Sequence, residues 1–128
     1  MHLINKNISI VGGGLVGSLL SIFLSRQGAN VSIFDKRSDI RSNKFAAGRS
    51  INLALSNRGI KALRALNLED DILKISVPMS KRIMHALNGD LTDQPYGREG
   101  QYIYSVSRQE LNIKLLNIAE SNSVKLFF

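Results

Sequence analysis

The sequence predicts an α/β domain in which helices flank a parallel sheet and one β-hairpin departs from it. Three observations predict this. Ile8-Ser9-Ile10-Val11 and Val31-Ser32-Ile33-Phe34 are short, apolar, β-branched runs of the kind that make buried strands. Between them a glycine cluster opens a helix-periodic segment, and strand–helix–strand order makes parallel neighbours through a right-handed crossover. Near the middle of the chain helical spacing gives way to alternation around Asn88-Gly89, the strongest short hairpin signal because both residues tolerate positive φ.

The elements follow in order. Leu15 to Gln27 is a helix with Leu15, Leu19, Ile22 and Phe23 as its apolar stripe, and Gly28 is placed to end it in a left-handed residue. Val31 to Phe34 ends on Asp35, and the basic, irregular residues 35–50 form a loop. Ile51 to Leu55 is a further strand and Asn57 to Leu66 a helix with Ile60, Leu63 and Leu66 inward. Pro78 interrupts the helical region. Arg82 to Leu87 and Gln101 to Val106 are strands of the excursion, which spans about residues 80–104. Ser107 with Glu110 three residues later is a capping box, and Leu111, Leu115, Ile118 and Ala119 form the inner face of the following helix. Val124 to Phe128 starts another strand, and an ending on Leu-Phe-Phe predicts a chain truncated within a domain.

Composition excludes several classes of function. A chain of 128 residues with 44% hydrophobic and 21% charged residues is globular and long enough for one core. It has no cysteine, which removes disulfides, thiolate metal sites and thiol nucleophiles. The two histidines, His2 and His85, are far apart, so no metal site is expected. No apolar run reaches the 18 residues of a membrane span, and Gly12 to Gly14 break the one stretch that imitates a signal peptide. The net charge is +7, and six bases (Arg41, Lys44, Arg49, Arg58, Lys61, Arg64) lie between Asp39 and Glu69 with no acid among them. Such an excess suits an anionic partner. Without an aromatic-interleaved basic patch, nucleic acid is not expected, and most of this stretch is expected to be a solvated face with Arg49 near a cofactor.

The motif that carries chemistry is Gly12-Gly13-Gly14-Leu15-Val16-Gly17, a match to G-x-G-x-x-G set between a strand and a helix. Gly12 allows the tight turn, Gly14 lets a pyrophosphate approach the backbone, and Gly17 lets helix and strand pack closely. The helix N-terminus then offers unpaired N–H groups to the phosphates. Asp35, 23 residues after Gly12, ends the second strand where a carboxylate accepts hydrogen bonds from a ribose. An acid there disfavours the 2′-phosphate of NADP at this loop, and both FAD and NAD remain open. The fold is thus Rossmann-like.

Further runs carry a resemblance. Gly48-Arg49-Ser50-Ile51-Asn52-Leu53-Ala54-Leu55-Ser56 with Arg58-Gly59, Pro78-Met79 with Arg82 and His85, Pro95-Tyr96-Gly97, and Ser105-Val106-Ser107-Arg108 with Leu111-Asn112 resemble the kynurenine 3-monooxygenases in order and spacing. These belong to the aromatic-hydroxylase group of flavoproteins. The resemblance implies tightly bound FAD, NADPH as co-substrate, and hydroxylation of L-kynurenine to 3-hydroxykynurenine with O2. It implies that residues 1–128 are the N-terminal portion of an FAD-binding domain, of which about 79–104 contributes to a substrate-binding β layer. A chain of this extent is expected to be inactive alone.

By resemblance, Val16, the Phe34-Asp35-Lys36-Arg37 stretch, Ala54 and Arg108 match flavin-contacting positions, with Asp35 in place of the commoner glutamate. Arg82 and Tyr96 match positions that hold the amino-acid carboxylate of kynurenine. By position alone Arg82 is a surface residue and Tyr96 a packed tyrosine after a proline turn. Alternation with Met84 and Ala86 places Arg82 on an apolar strand face, where a guanidinium needs an anion. No catalytic residue is assigned, and His85 is expected to be structural. The other function classes are a non-catalytic module sensing NAD or FAD and, on charge alone, a nucleic-acid binder. In a bacterium the expected compartment is the cytoplasm, with any membrane attachment outside this chain, and unpaired sheet edges are expected to promote self-association.

Overall fold

Strand β1 (Asn7–Val11), helix α1 (Leu15–Arg26) and strand β2 (Asn30–Phe34) form the predicted crossover, and β1 and β2 pair in parallel from Asn7↔Asn30 to Val11↔Phe34. The computed structural model describes residues 3–42 and 51–128; Lys44, Arg49 and the run 48–50 lie outside the described residues. Next in the chain come β3 (Asn52–Leu55), α2 (Asn57–Arg64), α3 (Glu69–Leu73) and β4 (Ser76–Met79). They are followed by β5 (Lys81–His85), β6 (Leu91–Pro95), β7 (Ile103–Ser107), α4 (Arg108–Ser121) and β8 (Lys125–Phe127). These elements make two compact units, one of Met1–Ile51 with Arg108–Phe128, the other of Asn52–Ser107.

In the first unit the parallel sheet has the order β1-β2-β8. The middle strand alternates most strongly, with Val31 and Ile33 buried. Helix α1 ends as the glycine predicts: Gly28 has φ +91°, its N–H donates to the Ser25 carbonyl, and the Ala29 N–H reaches back to Leu24. The buried face of α1 differs from its predicted stripe. Ser18, Ser21 and Ile22 are inward, while Phe23 is 45% exposed. Small residues let α4 approach α1, and the Ser21 hydroxyl is satisfied by the Ser18 carbonyl at 2.7 Å. The inner face of α4 is likewise turned from the predicted one: Leu111, Asn112, Leu115, Leu116 and Ala119 are buried, and Ile118 is only half-buried.

The second unit is antiparallel. Strand β7 lies between β3 and β4, with Leu53↔Val106 and Val77↔Ser105 among its pairs. Ile60, Leu63, Leu66, Leu68, Ile72 and Val106 are its buried apolar residues. Pro78 does not merely end a helix; it sits in β4, an edge strand, where a missing N–H removes nothing the ladder needs. Strands β5 and β6 form a separate two-stranded hairpin closed through Asn88-Gly89, with Gly89 at φ +90° and both strands exposed throughout. Among the described residues no helix is long and apolar enough to cross a membrane.

Among its described residues the basic stretch is mostly a solvated face, as expected, with Arg41 the exception. Arg41 pairs with Asp39 at 2.7 Å and with Glu120 of α4 at 2.7 Å, and its side chain is only 21% accessible. Arg64 pairs with Glu69. The two acids that bracket the stretch therefore neutralise its outermost arginines, and Arg58 and Lys61 are exposed.

Candidate functional site: a glycine loop closed by a carboxylate

The loop after β1 is shaped by backbone demands. Gly12 has φ +107°, a region L side chains rarely adopt, and its N–H donates to the Phe34 carbonyl at 2.7 Å. That bond ties the end of β1 to the end of β2. A Cβ on Gly17 would lie 2.0 Å from the Gly12 carbonyl oxygen, so the helix can begin this close to the strand only with glycine there. Gly14 is the extended residue before α1, and a Cβ built on it meets nothing within 4 Å. No side chain caps this helix end and no acid lies in its first turn. Its N–H donors and partial positive charge therefore face open space, as an anion site requires. Val16, in that first turn, is 80% exposed.

Asp35 closes the loop from the end of β2. Its Oδ2 accepts from the Gly13 N–H at 2.8 Å and from Arg37 Nη2 at 2.7 Å; its Oδ1 accepts from the Arg37 N–H at 2.9 Å and from Nε at 3.0 Å. The Arg37 hydrogen bonds hold the carboxyl far below the usual carboxylate range against some desolvation, so it is ionised at any physiological pH. The Asp35 side chain is 6% accessible, that of Arg37 65%. A cavity of about 500 Å³ opens beside this pair, lined by Gly13, Asp35, Lys36, Arg37, Ser38, Ile40, Asn112, Leu116 and Phe128. Its size is that of a small-molecule site. The Phe34 and Phe127 rings stack at 4.8 Å between β2 and β8.

Asn112 was not among the expected site residues. From α4 its Nδ2 donates to the Gly13 carbonyl at 3.2 Å, alongside the Ser18 hydroxyl at 3.3 Å. Its signal is visible in hindsight: a carboxamide between Leu111 and Leu115, on the face of α4 that is otherwise apolar. Arg108 begins α4 one turn before Asn112 and is exposed, with its backbone N–H on the Ile51 carbonyl at 3.1 Å. Gly12, Gly14, Val16, Gly17, Asp35, Arg37 and Arg108 are thus all in the first unit.

The remaining expected residues are in the second unit. Ala54 is exposed in β3 opposite Ser105. Arg82 lies opposite Gln94 in the hairpin, and its Nε donates to the Gln94 carboxamide oxygen. The apolar face expected around Arg82 is not present: its strand is exposed, and Thr92 and Gln94 of β6 share its side of the ladder with Met84. Strand alternation put Arg82 with Met84 and Ala86, but the partner strand supplies polar groups there. The Tyr96 N–H donates to the Ser80 carbonyl at 3.0 Å, which extends the ladder by one pair and sets Tyr96 diagonal to Arg82 on the same face. Among the described residues no group of three His, Asp or Glu side chains could hold a metal.

Residues 10–63 match the model of an NAD(P)-binding Rossmann-like domain. The chain is 53% identical over 116 residues to kynurenine 3-monooxygenase of Christiangramia forsetii, covering 91% of this chain and 26% of that protein. It is 49% identical to the Sus scrofa enzyme of the same name, covering 89% of this chain and 24% of that protein. The Legionella pneumophila (strain Corby) enzyme is also 49% identical, with 96% and 28% covered. A solved structure of a tetrameric form of 2-methyl-3-hydroxypyridine-5-carboxylic acid oxygenase superposes with a TM-score of 0.79 at 22% identity over 95% of this chain and 31% of its own. A p-nitrophenol 4-monooxygenase from Pseudomonas putida gives 0.75 at 21%, over 98% and 32%. At these identities the superpositions establish the fold. The chain spans about a quarter of the length of the curated relatives it matches, and over that span it is similar to kynurenine 3-monooxygenases.

Proposed function

We propose that the first unit binds the ADP half of FAD, and that the hairpin of the second holds the carboxylate of L-kynurenine. The whole protein is then a monooxygenase converting L-kynurenine to 3-hydroxykynurenine with NADPH and O2. The observation that carries this reading is the Gly13–Asp35 closure. It sets an ionised carboxylate against the glycine loop, beside an uncapped helix end and the open space before Gly14. A pyrophosphate fits that helix end and a ribose diol fits the Asp35 carboxylate. The names of the curated relatives support kynurenine monooxygenation over a generic nucleotide site.

The work of this chain is binding and orientation. The α1 N–H groups fix the phosphates, Asp35 and Arg37 hold the ribose side, and Val16, Ala54 and Arg108 are placed at further flavin contacts. Bound FAD supplies the redox chemistry and the activation of oxygen. The acid at residue 35 disfavours a 2′-phosphate, which supports NADPH as a transient co-substrate bound elsewhere. In the hairpin, the Arg82 guanidinium grips the substrate carboxylate through paired N–H donors and Tyr96 adds a hydroxyl from the diagonal position. We assign turnover to the whole protein rather than to this chain alone, and self-association of this chain to its unpaired sheet edges.

A visible spectrum of the purified chain, before and after adding FAD, tests the reading. Flavin absorbance that remains with the protein after desalting is the expected result. A colourless protein that binds NAD but not added FAD would refute it in favour of a non-catalytic nucleotide module, the class nearest to the NAD(P)-binding description of residues 10–63.

A further inference from the structure

Both backbone groups of Gly13 are held. Its N–H is on Asp35, and its carbonyl accepts from Asn112 of α4 and from the Ser18 hydroxyl. Asn112 is 99 residues away in sequence, and it is 92% buried. Because the Gly13 oxygen can only accept, the orientation of the Asn112 amide is fixed with Nδ2 toward it. Its Oδ1 is then buried with no hydrogen-bond partner among the described residues. An orphaned buried acceptor is unfavourable to folding, and the rest of that helix face is Leu111, Leu115, Leu116 and Ala119. An apolar residue would remove the orphan. An asparagine at this place is therefore accounted for by its one bond, to the loop, in a residue that also lines the cavity beside Asp35.

We infer that Asn112 is a positioning residue for the dinucleotide loop, holding the Gly13 carbonyl so that the Gly13–Gly14 peptide stands in its binding orientation before the ligand arrives. This inference rests on the proposed FAD reading. The Asp35 bond fixes the Gly12–Gly13 peptide and leaves the Gly13–Gly14 peptide free to turn about the Gly13 Cα, and donors from α1 and α4 on the Gly13 carbonyl remove that freedom. Preorganisation of this kind appears as affinity, not as fold stability.

The test is a titration of FAD into the full chain and into N112A and N112D, with the thermal midpoint of each protein measured without FAD. Alanine removes both the donor and the orphan, and Ser18 still serves the Gly13 carbonyl, so the midpoint is expected to stay while FAD binds about tenfold more weakly. Aspartate keeps the shape and replaces the donor with an acceptor, and is expected to bind FAD at least as weakly. FAD affinity unchanged in N112A, or a fall in affinity matched by a fall in midpoint, would overturn the inference. A wild-type chain that binds no FAD would overturn the flavin reading and this inference with it.

Discussion

Gly14 and Gly17 are three residues apart in one motif, yet substituting alanine at each should fail in opposite ways. A Cβ on Gly17 would stand 2.0 Å from the Gly12 carbonyl oxygen and 3.2 Å from its carbon. Relief requires α1 to move from the end of β1 by at least about 1 Å, because carbon approaches closer than ~3 Å are not tolerated. Overpacking of this kind costs about 1–3 kcal/mol, and a backbone carbonyl cannot swing aside as a side-chain tip can. Alanine returns about 0.8–1.0 kcal/mol of helix propensity, leaving a net loss of about 1 kcal/mol, at most about 2, and a thermal midpoint lower by about 4 °C, at most about 8 °C. At Gly14 the added Cβ meets nothing within 4 Å, and φ −76° with ψ −173° suits alanine. Fold stability should then change by less than about 0.5 kcal/mol. That same Cβ fills the space through which a pyrophosphate reaches the backbone, and a clash of about 1.4–2.8 kcal/mol weakens FAD binding about 10- to 100-fold. Thermal denaturation without FAD and FAD titration monitored by flavin fluorescence separate the two. If Gly14→Ala binds FAD normally, or if both variants lose equal stability, the division of roles between these glycines is wrong.

Other substitutions test the remaining parts of the site. Asp35→Asn removes the charge and keeps the shape, and FAD affinity is expected to fall about 10- to 100-fold by titration, the loss of a charged hydrogen bond. Because the folded pKa of Asp35 is depressed, its stabilisation is fully present above about pH 4 and lost as pH falls through the folded value. The midpoints of wild type and Asp35→Asn, measured from pH 7 to pH 2, should therefore differ at neutrality and draw together progressively below about pH 4. In the whole enzyme Arg82→Ala should weaken L-kynurenine binding roughly 10- to 150-fold, from about 1.5–3 kcal/mol for a charged hydrogen bond. An unchanged dissociation constant would remove Arg82 from the substrate site. Arg41→Ala cuts the link from the loop after β2 to Glu120 of α4 and should cost about 1–2 kcal/mol in chemical denaturation.

The legible features are those set by local chemistry. Gly28 at the end of α1, Asn88-Gly89 in the hairpin and Asp35 at the end of β2 each occupy a position that only a few residue types satisfy. The antiparallel sheet β3-β7-β4 was less legible. Its members are 49–55 residues apart in the case of β3 and β7, as in Asn52↔Ser107, and local pattern does not encode which distant strand will be the partner. Residues 76–79 were hidden for a different reason: a central-looking proline argues against a strand unless the strand is known to be an edge. The helix stripes missed by part of a turn because the buried sides of α1 and α4 face one another, and close approach there selects Ser18 and Ser21 over Phe23. Asn112 was missed with them, since its role depends on which side of α4 reaches Gly13. Arg82 reverses the case: its pairing residue, Gln94, lies across a hairpin whose turn was readable, yet only the register shows that its neighbours are polar.

The hydrogen bonds on Asp35 show what ligand binding must displace. Four donors already meet its two oxygens, about the number a carboxylate accepts, so a ribose diol cannot simply be added. The Gly13 bond is part of the loop and stays, as does the Arg37 N–H two residues along the backbone. The removable donors are Nε and Nη2 of the Arg37 side chain, which is 65% exposed. On opening, water takes over the exposed guanidinium, while the buried carboxylate regains its lost partners only from the incoming ribose hydroxyls. The ribose hydroxyls then inherit two acceptor positions on a carboxylate that the protein has already buried and ionised. The released guanidinium stays within a side chain's length of the site, where the diphosphate brings negative charge. In the proposed site Asp35 is in this way a preformed receptor whose provisional occupant is Arg37, and Gly13, held through its N–H and its carbonyl, is the fixed point against which the exchange takes place.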